Sequence, residues 1–281
     1  MVHFGDIPDE FCNEETSKIV VLPIPYDGTS TWVKGSDKGP EALLEASANM
    51  ELFDIETNTE VYLQGIYTAP AILEDSSPEA MVKVAEQQTL AYLKKGKFVV
   101  TVGGEHSVSI GPIQAYAKQF QNLTVLQVDA HADLRDSYEG SKNNHACVMA
   151  RAQDVCPIVQ VGIRSMDVGE NDRLDPNRVF WAHKIMDNDD WMDQAIDLLT
   201  EDVYLTIDLD GLDPSILPST GTPEPGGLMW YQTLRFLRKM IERKNLVGLD
   251  IVELCPNPLE KSSDFAASKL LYKILSYKFA K

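Results

Sequence analysis

Thr124-Val125-Leu126-Gln127-Val128-Asp129-Ala130-His131-Ala132-Asp133-Leu134-Arg135 is the stretch that decides how the rest of the chain is read. An apolar run passes directly into carboxylate and imidazole side chains at every second position. If Thr124 to Val128 is a buried strand and the chain stays extended beyond it, side-chain alternation puts Asp129, His131 and Asp133 on one face. Such a comb at a strand end suits a metal ion. On its own it is equally an acidic loop with a chance histidine, so its partners have to decide.

The same pattern recurs along the chain. Phe98 to Val102 is apolar and runs into Gly103-Gly104-Glu105-His106-Ser107, where two glycines can take conformations closed to other residues, turn the chain sharply and aim His106. Val203 to Ile207 ends in Asp208-Leu209-Asp210-Gly211-Leu212-Asp213-Pro214, and Leu246 to Val252 ends in Glu253. Lys18 to Leu22, Ile158 to Val161 and Val179 to Ala182 are further strand candidates. The loop from Pro23 to Gly28 is too rich in proline and glycine for regular structure.

Between these runs lie helical signals. Pro40 can open a helix, and Ser77-Pro78-Glu79 combines a cap, a first-turn proline and a carboxylate suited to the helix dipole, with Gly96 as the stop. Helices are also expected from Ser109 to about Phe120 and from Phe265 to Tyr277. Met192, Ala195, Ile196 and Leu199, after the capping-type residues Asn188 and Asp189, form one helical stripe, and Leu234, Leu237 and Ile241 mark another. Strands alternating with helices predict a single three-layer α/β/α domain over residues 1–281 with a mainly parallel central sheet. In such sheets ligands bind at the carboxyl ends of the strands, where His106, Asp129, Asp208 and Glu253 all fall.

Composition narrows the partners. Among 281 residues, 43 are acidic and 25 basic, a formal charge of -18, which repels nucleic acid and anionic membranes. The same charge either draws cationic small molecules or serves solubility alone. No apolar run approaches the roughly 20 residues of a membrane span. The four cysteines are scattered, with no Cys-x-x-Cys pair and no signal peptide ahead of them, as expected of a reduced, cytoplasmic protein.

Two imidazoles, His106 and His131, and four carboxylates, Asp129, Asp133, Asp208 and Asp210, exceed what one catalytic zinc takes. They suit two metals sharing bridging carboxylates. Oxygen-rich ligation with some imidazole points to Mn²⁺ before zinc and leaves Fe, Co and Ni open. Two divalent ions cancel four carboxylates; a bridging hydroxide then leaves the site negative, and Glu253 adds a further charge. A planar cation such as guanidinium, which a carboxylate binds through paired hydrogen bonds, is the natural guest.

These residues resemble the ureohydrolases, the arginase and agmatinase family. The likeness rests on the segments Gly103–Ser107, Asp129–Asp133, Asp208–Pro214, Gly221–Gly227 and Asp250–Glu253. The resemblance implies an arginase-like fold and two Mn²⁺, one held by His106, Asp129, Asp133 and Asp208, the other by Asp129, His131, Asp208 and Asp210, with Asp129 and Asp208 bridging. It implies attack of a metal-bridging hydroxide on the guanidinium carbon, giving urea and an amine. Glu253 would orient the guanidinium, Asp133 would take the remaining hydroxide proton, and His145 would deliver a proton to the leaving amine. His3 and His183 match nothing and read as structural or surface residues.

Where arginases carry an Asn- and Ser/Thr-rich segment for the substrate's carboxylate, this chain has the acidic stretch from Asp136 to Ser141, and Pro223-Glu224-Pro225 has the agmatinase form. Both favour agmatine, giving putrescine and urea. Asn144 departs from the serine that agmatinases commonly place before the loop histidine, which bears on the substrate end of the pocket. Alternatives in the same chemistry are guanidinobutyrate, arginine or formiminoglutamate; from another class, a non-catalytic relative whose metals support an oligomer. The resemblance also carries the expectation of a homotrimer or homohexamer.

Overall fold

The structure, a computed structural model, describes residues 3–280. Its strands are β1 (Ile19–Ile24), β2 (Ile66–Thr68), β3 (Phe98–Gly103), β4 (Leu123–Val128), β5 (Ile158–Ile163), β6 (Val179–Trp181), β7 (Asp202–Asp208) and β8 (Asn245–Val252). The α-helices are α1 (Gly39–Ser47), α2 (Pro78–Lys94), α3 (Ile110–Gln119), α4 (Val148–Gln153), α5 (Ala182–Ile185), α6 (Asp190–Asp197), α7 (Trp230–Arg243) and α8 (Ser262–Phe279). The strands form one sheet in the order β2-β1-β3-β8-β7-β4-β5-β6, and every neighbouring pair is parallel.

Helices cover both faces, which is why β1, β3, β4 and β5 are buried along their whole length and read as continuous apolar runs. Alternation divides each strand between two cores. Val203, Leu205 and Ile207 of β7 face the core that α1, α6, α7 and α8 complete, while Tyr204 faces the one built with α2, α3 and α4. Local signals agree with this frame. The Ser77 side chain accepts from the Ala80 N–H at 3.1 Å, Pro78 opens α2, and Gly96 at φ +73° follows its last turn, donating to the Leu93 carbonyl at 2.9 Å.

The order of the strands builds the site. Successive strands β3 and β4 are separated by β8 and β7, so the four whose ends carry the ligand-type residues are central neighbours. The registers Val102↔Ile251, Ile207↔Ile251 and Val128↔Ile207 bring those ends level with one another.

Two local expectations fail. Pro23 and Ile24 belong to β1 rather than to the loop. β2 stops at Thr68 opposite Val21, so the missing N–H of Pro23 breaks no ladder bond, and its carbonyl accepts from Ile72 at 2.9 Å. The short elements β2, α4 and α5 leave no signal in the sequence, because runs of three to six residues show no period.

Candidate metal centre and substrate cavity

His106 follows β3, and its side chain is only 1% exposed. Gly103 and Gly104 precede it, yet neither has a positive φ. Their smallness serves close approach instead. A Cβ on Gly104 would lie 2.1 Å from the Tyr26 carbonyl oxygen, and one on Gly103 would lie 2.3 Å from Val108. The imidazole is fixed from behind by a buried chain of hydrogen bonds. Thr206 Oγ1 donates to Asp250 Oδ1 at 2.7 Å and so accepts from His106 Nε2 at 2.8 Å, while the Tyr204 hydroxyl donates to Asp250 Oδ2 at 2.7 Å. Nε2 therefore carries the proton, and the Nδ1 lone pair points the other way.

That Nδ1 is the telling atom. It is buried without a hydrogen-bond partner, 2.9 Å from Asp133 Oδ2, 3.3 Å from Asp129 Oδ2 and 3.4 Å from Asp208 Oδ2. A ring nitrogen facing three carboxylates calls for positive charge between them, which a metal cation would supply. The carboxyls say the same: burial pushes Asp208 well above its usual range, with Asp210 and Asp129 adding to it, and burial and Asp129 push Asp133 to about 7. Repulsion between two carboxylates about 4 Å apart is about 4 kcal/mol at an effective dielectric near 20, too much to leave unneutralised across a cluster.

A second group shares Asp129. His131 Nδ1 lies 3.0 Å from Asp210 Oδ2 and 3.7 Å from Asp129 Oδ1, so His106, Asp129 and Asp208 form one potential metal-holding set and Asp129, His131 and Asp210 another. Asp129 is held for this position. Gln127 Nε2 donates to its Oδ2 at 2.7 Å, and Gln160 Nε2, in register on β5, donates to Gln127 Oε1 at 2.6 Å. Gly211 lets the turn after β7 lie against it, since a Cβ there would come 2.8 Å from the Asp129 nitrogen.

The chain does not stay extended through the comb. β4 ends at Val128, and Asp133 sits at φ +53°, a conformation few side chains adopt. Its carbonyl accepts from the Met149 and Ala150 N–H groups at the start of α4, at 3.0 and 3.2 Å, which fixes the bend. The bend carries Asp133 to His106, while His131 turns to Asp210. Glu253, at φ +67°, is the other strained residue of the site; its Oε1 accepts from the His106 N–H at 2.8 Å.

A cavity of about 300 Å³ adjoins the cluster, lined by His106, His131, Asp133, Asp208, Asp210, Glu253 and His145. Residues outside the expected set complete its walls: Ser30, Trp32, Arg135, Tyr138, Asp167 and Glu170. His145 Nδ1 is bonded to Thr29 Oγ1 at 3.1 Å, and Thr29 also accepts from the His145 N–H at 3.0 Å. Burial holds the His145 imidazole down at about 4. Asn144 accepts from the Ala146 N–H at 3.0 Å and thereby shapes the turn that presents His145. The Arg164 guanidinium donates to the carbonyls of Asp210 at 2.6 Å, Glu224 at 2.7 Å and Pro225 at 3.1 Å, tying the Gly221–Gly227 loop to the rim. Thr29 and Arg164 are single residues in irregular segments, and no sequence spacing signals them, whereas Glu170 closes a capping box with Asp167 on the 3-10 turn Val168–Asp172, a spacing the sequence does carry. His183 is exposed and His3 half-buried, and neither lines the cavity.

Overlapping imidazole–carboxylate groups on the rim of a parallel sheet, beside a polar cavity, are the make-up of a metal-dependent hydrolase. Comparison with known proteins gives the class a family. The profile of the arginase family matches residues 17–276. An N(1)-aminopropylagmatine ureohydrolase of Synechocystis sp. is 40% identical, covering 98% of this chain and 95% of that protein. An agmatinase of Pyrococcus horikoshii is 32% identical over 91% of this chain and 90% of its own length. The crystal structure of agmatine ureohydrolase of Thermoplasma volcanium superposes with a TM-score of 0.88 at 30% identity, covering all of this chain and 95% of that one. The chain belongs to the arginase family, and it is a ureohydrolase.

Proposed function

We propose that this enzyme hydrolyses the guanidinium group of an agmatine-type substrate with a cationic tail, N(1)-aminopropylagmatine first, releasing urea and spermidine. The observation that carries the hydrolytic chemistry is the buried, unpartnered His106 Nδ1 among three carboxylates. What favours the longer substrate is likeness: relatives at 40% and 37% identity are N(1)-aminopropylagmatine ureohydrolases, whereas near 30% both names occur, an agmatinase at 32% and an N(1)-aminopropylagmatine ureohydrolase at 31%. Agmatine is the second reading, favoured by the Thermoplasma volcanium neighbour; the acidic segment Asp136–Ser141 does not bear on it, because Asp136 is paired with Lys142, Arg151 and Arg173 and only Tyr138 of that segment lines the cavity.

The donor set fits two Mn²⁺. His106, Asp129, Asp133 and Asp208 would hold one and Asp129, His131, Asp208 and Asp210 the other, supported by the two groups that share Asp129. Metals bound there supply Lewis acidity and an ionised water near neutral pH. The side chains supply the rest. Glu253, with Oε1 fixed by the His106 N–H, offers Oε2 to the guanidinium N–H groups and sets the face that is attacked. Asp133 takes the proton that the attacking oxygen gives up as its bond to the guanidinium carbon forms.

His145 is neutral at pH 7 and passes a proton rather than storing one. With Nδ1 held by Thr29, transfer to the leaving amine falls to Nε2. The 281 residues act as one ureohydrolase domain in this reading, in a cytoplasmic homotrimer or homohexamer. The four unpaired cysteines agree with a reducing compartment. Among the described residues no helix is long and apolar enough to cross a membrane.

Urea release by Mn²⁺-loaded protein across N(1)-aminopropylagmatine, agmatine, guanidinobutyrate and arginine tests the assignment. The highest kcat/KM is expected with N(1)-aminopropylagmatine, followed by agmatine. Preference for either carboxylate-bearing substrate would overturn it.

A further inference from the structure

The segment from Asp27 to Gly35 is a loop with a fixed base and a bare tip. Asp27 gathers the base: its carboxylate accepts from the Gly35 N–H at 2.7 Å, from Lys34 Nζ at 3.3 Å and from Ser30. Thr29 ties one limb to His145, and the Lys34 carbonyl accepts from Cys255 Sγ at 3.6 Å on the other. Thr31, Trp32 and Val33, between these ties, make no hydrogen bond among the described residues. Trp32 is 77% exposed and yet lines the catalytic cavity. An indole left so bare at the mouth of a polar pocket, on an anchored support, has its ring free for whatever occupies the mouth.

We infer that Trp32 is a specificity-determining residue, whose ring lies along the polyamine tail of the substrate and recognises its methylenes and second ammonium. This rests on the cationic-tail reading above and deepens it. The face of an indole attracts an ammonium and the ring covers the intervening methylenes, whereas a carboxylate-ended tail gains neither. The guanidinium end, bound among Glu253 and the metal-holding residues, is untouched by this contact. Trp32 therefore acts on KM for tailed substrates and leaves kcat alone.

The test compares Trp32→Ala and Trp32→Phe with wild type on N(1)-aminopropylagmatine and agmatine. Trp32→Ala is expected to raise KM about tenfold for the longer substrate and less for agmatine, with kcat within about twofold, and Trp32→Phe to restore most of the loss. A binding readout runs beside it. Trp181 and Trp230 are half-buried and Trp191 is buried, so acrylamide quenching of tryptophan emission is dominated by Trp32. Spermidine should protect wild-type emission and leave that of Trp32→Phe unprotected. Wild-type turnover of N(1)-aminopropylagmatine with unchanged KM in Trp32→Ala would overturn the role of Trp32 and leave the substrate reading standing. A wild type that turns over neither cationic substrate would overturn both. A change in particle mass of Trp32→Ala with KM unchanged would assign the ring to contact between copies instead.

Discussion

The two ends of the catalytic cavity are built by different means. The metal end hangs on β3, β8, β7 and β4, adjacent strands whose ends the sheet brings level, and its side chains are backed by buried hydrogen bonds from Gln127, Gln160, Thr206 and Asp250. The outer end is built from the segments around Trp32, Tyr138, Asp167 and Thr222, held by a few side chains such as Asp27 and Arg164. Chemistry needs positions fixed to fractions of an ångström, and a packed sheet supplies that. Recognition of a tail needs surfaces that can vary while the chemistry stays, and loops supply that.

The largest effect expected from this contrast lies at the shared ligand. Asp129→Ala should lower kcat at least about a thousandfold and reduce bound metal, because it removes a donor from both groups; full metal occupancy in that variant would break the two-group account. His145→Ala should lower kcat by about a hundredfold or more with metal content kept, the signature of a lost proton path, and unchanged turnover would remove His145 from the reaction.

One layer out, Gln127→Ala leaves Asp129 Oδ2 without its 2.7 Å donor, and Mn²⁺ affinity measured by titration should fall about tenfold or more. A loop residue of similar burial gives no such fall if the contrast between frame and loop holds. The smallest effect is expected at the loop end. Asp213 accepts from Ser215 and from the Gly227 and Gly226 N–H groups, and these bonds depress its carboxyl to about 2. A depressed carboxyl contributes stability above its usual pKa near 4 and loses it as pH falls through about 2. Asp213→Ala should therefore lower the melting temperature by about 2 °C or less at pH 7, with the gap narrowing from pH 4 downwards.

The same contrast explains what was legible in the sequence. Buried parallel strands are unbroken apolar runs, so their ends, and with them His106, Asp129, Asp208 and Glu253, stand out in the sequence. The neighbourhood of those ends was not legible. Nothing in the order of the chain says that β8 and β7 insert between β3 and β4, nor that Asp133 leaves the extended path at φ +53° to reach His106. Gly103 and Gly104 were visible as special but for the wrong reason, since the crowding of Tyr26 and Val108 is a tertiary fact. Thr29, Arg164 and Trp32 act as single side chains on loops, where no period announces a role. The family likeness reaches the guanidinium chemistry and leaves the tail to the loops of the outer end.

The central claim is that one rim holds two metals through Asp129. Anomalous scattering from crystals of Mn²⁺-loaded protein tests it most directly. Two peaks about 3.5 to 4 Å apart are predicted, one beside His106 Nδ1 and one beside His131 Nδ1, with Asp129 touching both. A single peak, or two peaks without Asp129 between them, would contradict it.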